Sequence, residues 1–123
     1  MWATNRAADT LSVIDTKTDT VTKTIECGKF PIRVAFSTDG ATAYVSCANS
    51  NEIAVFNAAT KREETRINVG RMPIGLLVAP GGDRLYAANT SDGTITVIGL
   101  KTRTVTGLIA AGTEPDGMAH IFQ

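Results

Sequence analysis

The chain holds one histidine, His120, and two cysteines, Cys27 and Cys47. These side chains offer the widest chemistry. An imidazole titrates near neutral pH and can act as general base or axial ligand. A thiol can ligate a metal or enter a disulfide. None of the three has the company such chemistry needs. A tetrahedral zinc site takes three or four ligands, and one His with two scattered Cys falls short. A hydrolytic triad needs a nucleophile beside its base, and no nucleophile-elbow phrase is present. No metal and no resident cofactor is expected. The remaining candidates lie in three short loops: Gly28-Lys29-Phe30-Pro31, Gly70-Arg71-Met72-Pro73 and Gly112-Thr113-Glu114-Pro115. Their middle residues differ where their flanks agree, and binding residues concentrate on loops that a rigid scaffold holds.

That scaffold is written into the chain as a period. Trp2, Tyr44 and Tyr86 stand 42 residues apart, as do Gly28, Gly70 and Gly112, and Pro31, Pro73 and Pro115. No insertion or deletion breaks the register. A fixed period of this length marks stacked supersecondary units, none able to bury its apolar face alone.

Within each unit the pattern is that of strands. Leu11-Ser12-Val13-Ile14 begins by alternating apolar with polar, and Ile53-Ala54-Val55-Phe56 and Ile95-Thr96-Val97-Ile98 occupy the same places. Thr, Val and Ile dominate, and these suit a pleated, half-buried surface. Asp39-Gly40, Gly81-Gly82-Asp83 and Asp92-Gly93 supply tight turns with a residue free to take positive φ. Asp15 and Asn57 follow the third strand and are expected to cap turns. Four strands result per repeat, in one full unit roughly 32–37, 43–47, 52–57 and 63–69. Glu63-Glu64-Thr65-Arg66 makes the outer strand of the middle copy charged, hence solvated. Four antiparallel strands in this span form the blade of an all-β propeller.

The phrases Tyr44-Val45-Ser46-Cys47, Leu11-Ser12-Val13-Ile14-Asp15-Thr16, Thr20 to Gly28 and Phe36-Ser37-Thr38-Asp39-Gly40 resemble the YVTN-type β-propeller repeat. The likeness covers essentially the whole chain. Trp2 departs from it in place of Tyr, Cys47 in place of Asn, and Gly81 in place of Asp. The resemblance implies an exported protein of the cell surface or periplasm, as in surface-layer proteins and periplasmic propellers. It implies no single activity, since related propellers include lactonases and other enzymes. A cytoplasmic location also fits the cysteines, which read as two small buried thiols because neither recurs with the array.

The repeats divide the 123 residues into 2–43, 44–85 and 86–123. The first holds strands two to four of one blade and the inner strand of the next. The last ends in a lone inner strand, Gly117 to Phe122. Three blades fall below the four to eight of a closed ring. Each open face of roughly 400 Å² would forgo on the order of 10 kcal/mol. Two solutions follow: two chains closing a six-bladed homo-oligomeric ring, or one piece of a larger propeller.

This scaffold places the candidates. His120 matches Phe36 and Val78 on the innermost strand, so it reads as a core imidazole or, beside the channel, as a ligand. Arg33 stands where the other repeats have Gly75 and Gly117. The three variable loops share one rim with the second-to-third strand loops. Lys29, Phe30, Arg33, Arg71, Met72, Glu114 and Asp116 are expected to form a polar mouth with an apolar ledge. Zero net charge argues against nucleic acid, and no apolar run approaches a membrane helix. The leading reading is a non-enzymatic interaction module whose rim binds a protein or cell-surface partner. The alternative is a periplasmic propeller enzyme or cofactor carrier (a haem, quinone or lactone site) with His120 near the channel.

Overall fold

The computed structural model describes residues 1–119 and 121. Among these, eleven strands form three antiparallel sheets in chain order. The first sheet is β1 (Trp2–Asn5), β2 (Thr10–Asp15) and β3 (Thr20–Glu26). The second is β4 (Pro31–Phe36), β5 (Thr42–Cys47), β6 (Glu52–Asn57) and β7 (Glu63–Asn68). The third is β8 (Pro73–Val78), β9 (Arg84–Asn89), β10 (Thr94–Gly99) and β11 (Thr104–Ala110). The sequence places the strands of the middle unit within one residue of these bounds. Gly117–Ala119, the described start of the expected lone strand, carry no strand. His120 and Phe122 lie outside the described residues.

The registers repeat as the residues do. Trp2 pairs with Val13, Tyr44 with Val55 and Tyr86 with Val97. Each third-to-fourth strand pair also carries a bulge at one phase: Val13/Ile14, Val55/Phe56 and Val97/Ile98. A bulge bends its strand and sharpens local twist. The turns use the glycines anticipated for them, Gly40, Gly82 and Gly93, all at positive φ. Asp15 Oδ1 accepts the Lys17 N–H, and Asn57 Oδ1 accepts those of Ala59 and Thr60, which caps two more turns.

Two interblade cores hold the stack. The first joins Leu11, Val13 and Ile25 to Ala43, Val45, Cys47, Ala54 and Phe56, with Trp2 packed against them. Trp2 meets Phe56 edge-on at 5.9 Å and Phe36 at 5.7 Å, a favourable aromatic geometry. The second joins Tyr44, Ile53, Val55 and Ile67 to Leu85, Ala87 and Ile98. The middle blade is therefore buried on both flats. That is why Ile53-Ala54-Val55-Phe56 is apolar throughout and fully buried instead of alternating. The outer strands see water: β7 is exposed except at Ile67, and Val105, Leu108 and Ile109 remain exposed on β11.

Side-chain hydroxyls stitch the blades together. The Thr4 hydroxyl donates to the Ile32 carbonyl at 2.9 Å, and the Ser46 hydroxyl to the Ile74 carbonyl at 2.8 Å. In the third repeat this phase is Ala88, which has no hydroxyl. There Thr90 donates instead to the Pro115 carbonyl at 2.8 Å.

Candidate binding rim

The chain crosses from one blade to the next through 27–30, 69–72 and 111–114. At each crossing the backbone swings through a left-handed residue: Phe30 (φ 57), Met72 (φ 56) and Glu114 (φ 52). For a non-glycine residue this conformation is uncommon and must be held by its surroundings. Asp9 Oδ1 accepts the Phe30 N–H at 2.9 Å, and Asn51 Oδ1 accepts the Met72 N–H at 3.0 Å. The donors' own carbonyls are engaged too: Ala48 N–H donates to Phe30 and Thr90 N–H to Met72. Position 93 is glycine, so Glu114 has no such side chain to hold it.

These bonds bring the crossing loops and the second-to-third strand turns onto one edge of the stack. The Lys29 N–H donates to Ser50 Oγ, and the Arg71 N–H to Asp92 Oδ2 at 2.8 Å. Arg71 Nε also reaches Asp92 Oδ1 at 2.6 Å. Two donors from one residue hold the Asp92 carboxyl below the usual carboxylate range. The Arg6 guanidinium lies over the Phe30 ring, 5.6 Å from its centroid. The Ser91 hydroxyl touches Met72 Sδ at 3.4 Å. A depression of about 480 Å³ opens here between Thr90, Ser91, Asp92, Gly93, Gly112, Thr113 and Glu114.

Lys29, Phe30, Arg71, Met72 and Glu114 thus lie on this edge. Arg33 does not share their loops. It projects from β4, exposed, with its N–H bonded to Ser46 Oγ at 3.1 Å. No ion pair of Arg33 forms among the described residues. Asp116 lies further along, where its carbonyl crosses blade three against Gly75. A Cβ on Gly75 would overlap that oxygen, so glycine is required for the crossing. Of the positions equivalent to His120, Phe36 edges onto Trp2 and Val78 packs in the second core. His120 itself lies outside the described residues.

The Asp9, Asn51 and Phe30, Met72, Glu114 conformations were not read from the sequence. The 42-residue spacing of Asp9, Asn51 and Gly93, three residue types that tolerate left-handed backbone, was the available signal. The cysteine contact was missed as well. Cys27 and Cys47 are both free, with their sulfurs 3.6 Å apart. Among the described residues no cluster of three or more His, Cys, Asp or Glu could hold a metal. No helix there is long and apolar enough to cross a membrane.

The family described as "Lactonase, 7-bladed beta-propeller" matches residues 1–115. No curated protein matches the chain. Among solved structures, the hydrazine synthase of Kuenenia stuttgartiensis superposes with a TM-score of 0.89 at 25% identity, over 94% of this chain and 34% of that one. A functionally unknown protein from Desulfotomaculum acetoxidans gives 0.75 at 14% identity, over 88% of this chain and 37% of that one. The dihydro-heme d1 dehydrogenase NirN, solved in complex with DHE, gives 0.77 at 13%, over 92% and 25%. The chain spans roughly a quarter to a third of such structures' length. The last two likenesses concern the fold alone.

Proposed function

The chain belongs to the lactonase family of seven-bladed β-propellers, and from that premise we propose that it is a rigid scaffold whose rim loops bind a protein or cell-surface partner. The observation that carries this reading is the repeated rim itself. One left-handed backbone conformation, pinned at two of its three places by Asp9 and Asn51, presents three unlike side chains at equivalent positions: Phe30, Met72 and Glu114. A fixed frame with interchangeable residues is the arrangement recognition loops require. Lys29, Arg71 and Asp116 supply charge beside the apolar Phe30 and Met72, and Arg33 on β4 supplies a further exposed cation.

The YVTN-type phrases support an exported protein at the cell surface or in the periplasm. The open flats of the first and last blades, with Val21 and Ile109 exposed on them, support a place in a closed ring. Of a six-bladed pair of chains and a larger propeller, the family's seven blades favour the larger one.

Lactone hydrolysis is the second reading, favoured by the family match. Fold membership alone does not assign chemistry. Two experiments separate the readings. A photo-crosslinking residue at Lys29, Arg71 or Glu114, expressed in the cells that make the protein, is expected to capture one defined partner. The same probe at Lys17, Lys61 or Lys101, in the turns after the third strands, is expected to capture none. Equal capture from both sets would contradict rim recognition. Acid release from γ- or δ-lactones, lost in Asp92→Asn or Glu114→Gln, would establish the hydrolytic reading instead.

A further inference from the structure

We infer that Cys27 and Cys47 form a redox-modification site, in which a small disulfide oxidises the pair to an intramolecular cystine that locks the first blade crossing. The sulfurs lie 3.6 Å apart, and bond formation needs them to approach to about 2.05 Å. Cys27 sits in the crossing loop after β3 and is half-buried; Cys47 ends β5 and is fully buried. The bond would therefore tie the loop that leads to Lys29 and Phe30 directly to the middle blade.

The repeats show that this pair replaces a different device. At the phase of Cys47 the other repeats carry Asn5 and Asn89. Asn5 Nδ2 donates to Thr10 Oγ1 and Ser12 Oγ, and Asn89 Nδ2 to Thr94 Oγ1 and Thr96 Oγ1. Opposite Cys47 those hydroxyls are gone: the positions are Glu52 and Ala54. At the phase of Cys27 the other repeats have Val69 and Ala111. Asparagine and its hydroxyl partners have together given way to two thiols in contact. Gly28 permits the approach, since a Cβ there would stand 2.8 Å from Cys47 Sγ.

The chemistry balances as thiol–disulfide exchange. The Cys27 thiol is raised by its hydrogen bond to Cys47 and by burial, while the Cys47 thiol is lowered because Cys27 donates to it. The resting pair thus ionises first at Cys47. Solvent reaches only Cys27, so the external step follows proton transfer between the sulfurs. The Cys27 thiolate attacks the oxidant R–S–S–R, forms a mixed disulfide and releases one RS⁻. The Cys47 thiol then gives its proton to the released RS⁻, and the Cys47 thiolate attacks Cys27 Sγ, closes the protein disulfide and releases the second RS⁻. Two protein thiols lose two protons and two electrons, and one oxidant disulfide becomes two thiols.

The test uses the whole chain in glutathione buffers of rising disulfide fraction. Mass spectrometry is expected to show loss of two hydrogens. After trypsin, residues 24–29 and 34–61 are expected to be linked. Dithiothreitol should reverse both changes. The oxidised chain should melt roughly 10 °C above the reduced one, because the cross-link restricts the unfolded chain. Cys47→Ser should stop at one glutathione on Cys27, and Cys27→Ser should take none. Two free thiols under oxidising buffer, a link only between separate molecules, or faster modification of Cys47 than of Cys27 would overturn the proposal. The wild-type peptide map decides the matter even if a serine variant fails to fold.

Discussion

The Ser46 hydroxyl occupies a bridge between blades: it donates to the Ile74 carbonyl at 2.8 Å and accepts the Arg33 N–H at 3.1 Å. It is fully buried. One side chain therefore satisfies a backbone acceptor in blade three and a backbone donor in its own sheet.

Ser46→Ala is expected to cost about 1–3 kcal/mol, because both backbone groups lose a buried partner. Thr4→Ala removes the equivalent bond at the previous junction but in a half-buried place, so its cost should be smaller. Urea midpoints of the two variants check the order. Equal values would contradict the burial argument.

Phe56→Ala is expected to cost about 3–5 kcal/mol, since the ring is fully buried between two blades. It should also shift the emission of Trp2, the only tryptophan, whose edge packs on Phe56 at 5.9 Å. Unchanged fluorescence in a folded Phe56→Ala protein would mean that the first interblade core is not arranged this way.

Gly70 and Gly81 should respond oppositely to alanine. A Cβ on Gly70 would stand 2.6 Å from Cγ of the fully buried Asn89. On Gly81 the nearest contact is Asp83 Oδ1 at an ordinary 3.5 Å. Gly70→Ala is expected to lower Tm by several degrees, from a penalty of about 1–3 kcal/mol. Gly81→Ala should be neutral within about 0.5 kcal/mol. Calorimetry on both decides.

Asp92 should make stability depend on acid. Its carboxyl is held low by the Arg71 N–H and guanidinium. A depressed folded value means the contribution is present above the ordinary carboxylate pKa, about 4, and is lost as pH falls through the folded value. Asp92→Asn is expected to be less stable than wild type at pH 7, with the gap narrowing below about pH 4. A gap that widens in acid would reverse the sign and refute the pairing.

The blades were legible because one physical requirement recurs at one phase. Trp2, Tyr44 and Tyr86 each face a valine across the sheet, and Gly40 and Gly82, 42 residues apart, each close a turn at positive φ. The sites were less legible. Nothing in Phe30 or Met72 announces a left-handed backbone; the cause lies 21 residues earlier, in the carboxyl of Asp9 and the amide of Asn51. Cys27 and Cys47 sit at different phases of the repeat, so comparing copies position by position separated two sulfurs that the stack brings together. The alternation in β6 broke down because the middle blade has no solvent face. Arg33, placed by the sequence on the inner strand 32–37, lies on β4 beside the first crossing loop.

Amide hydrogen exchange tests most directly whether packed blades hold a rigid rim. The amides of β5 and β6 are expected to exchange slowest, because both flats of that blade are buried. On the rim, the Phe30 and Met72 amides should be protected by Asp9 and Asn51, and the Glu114 amide, facing Gly93, should exchange freely. Phe30 and Met72 exchanging at the free-loop rate, or β6 exchanging as fast as β11, would contradict the account.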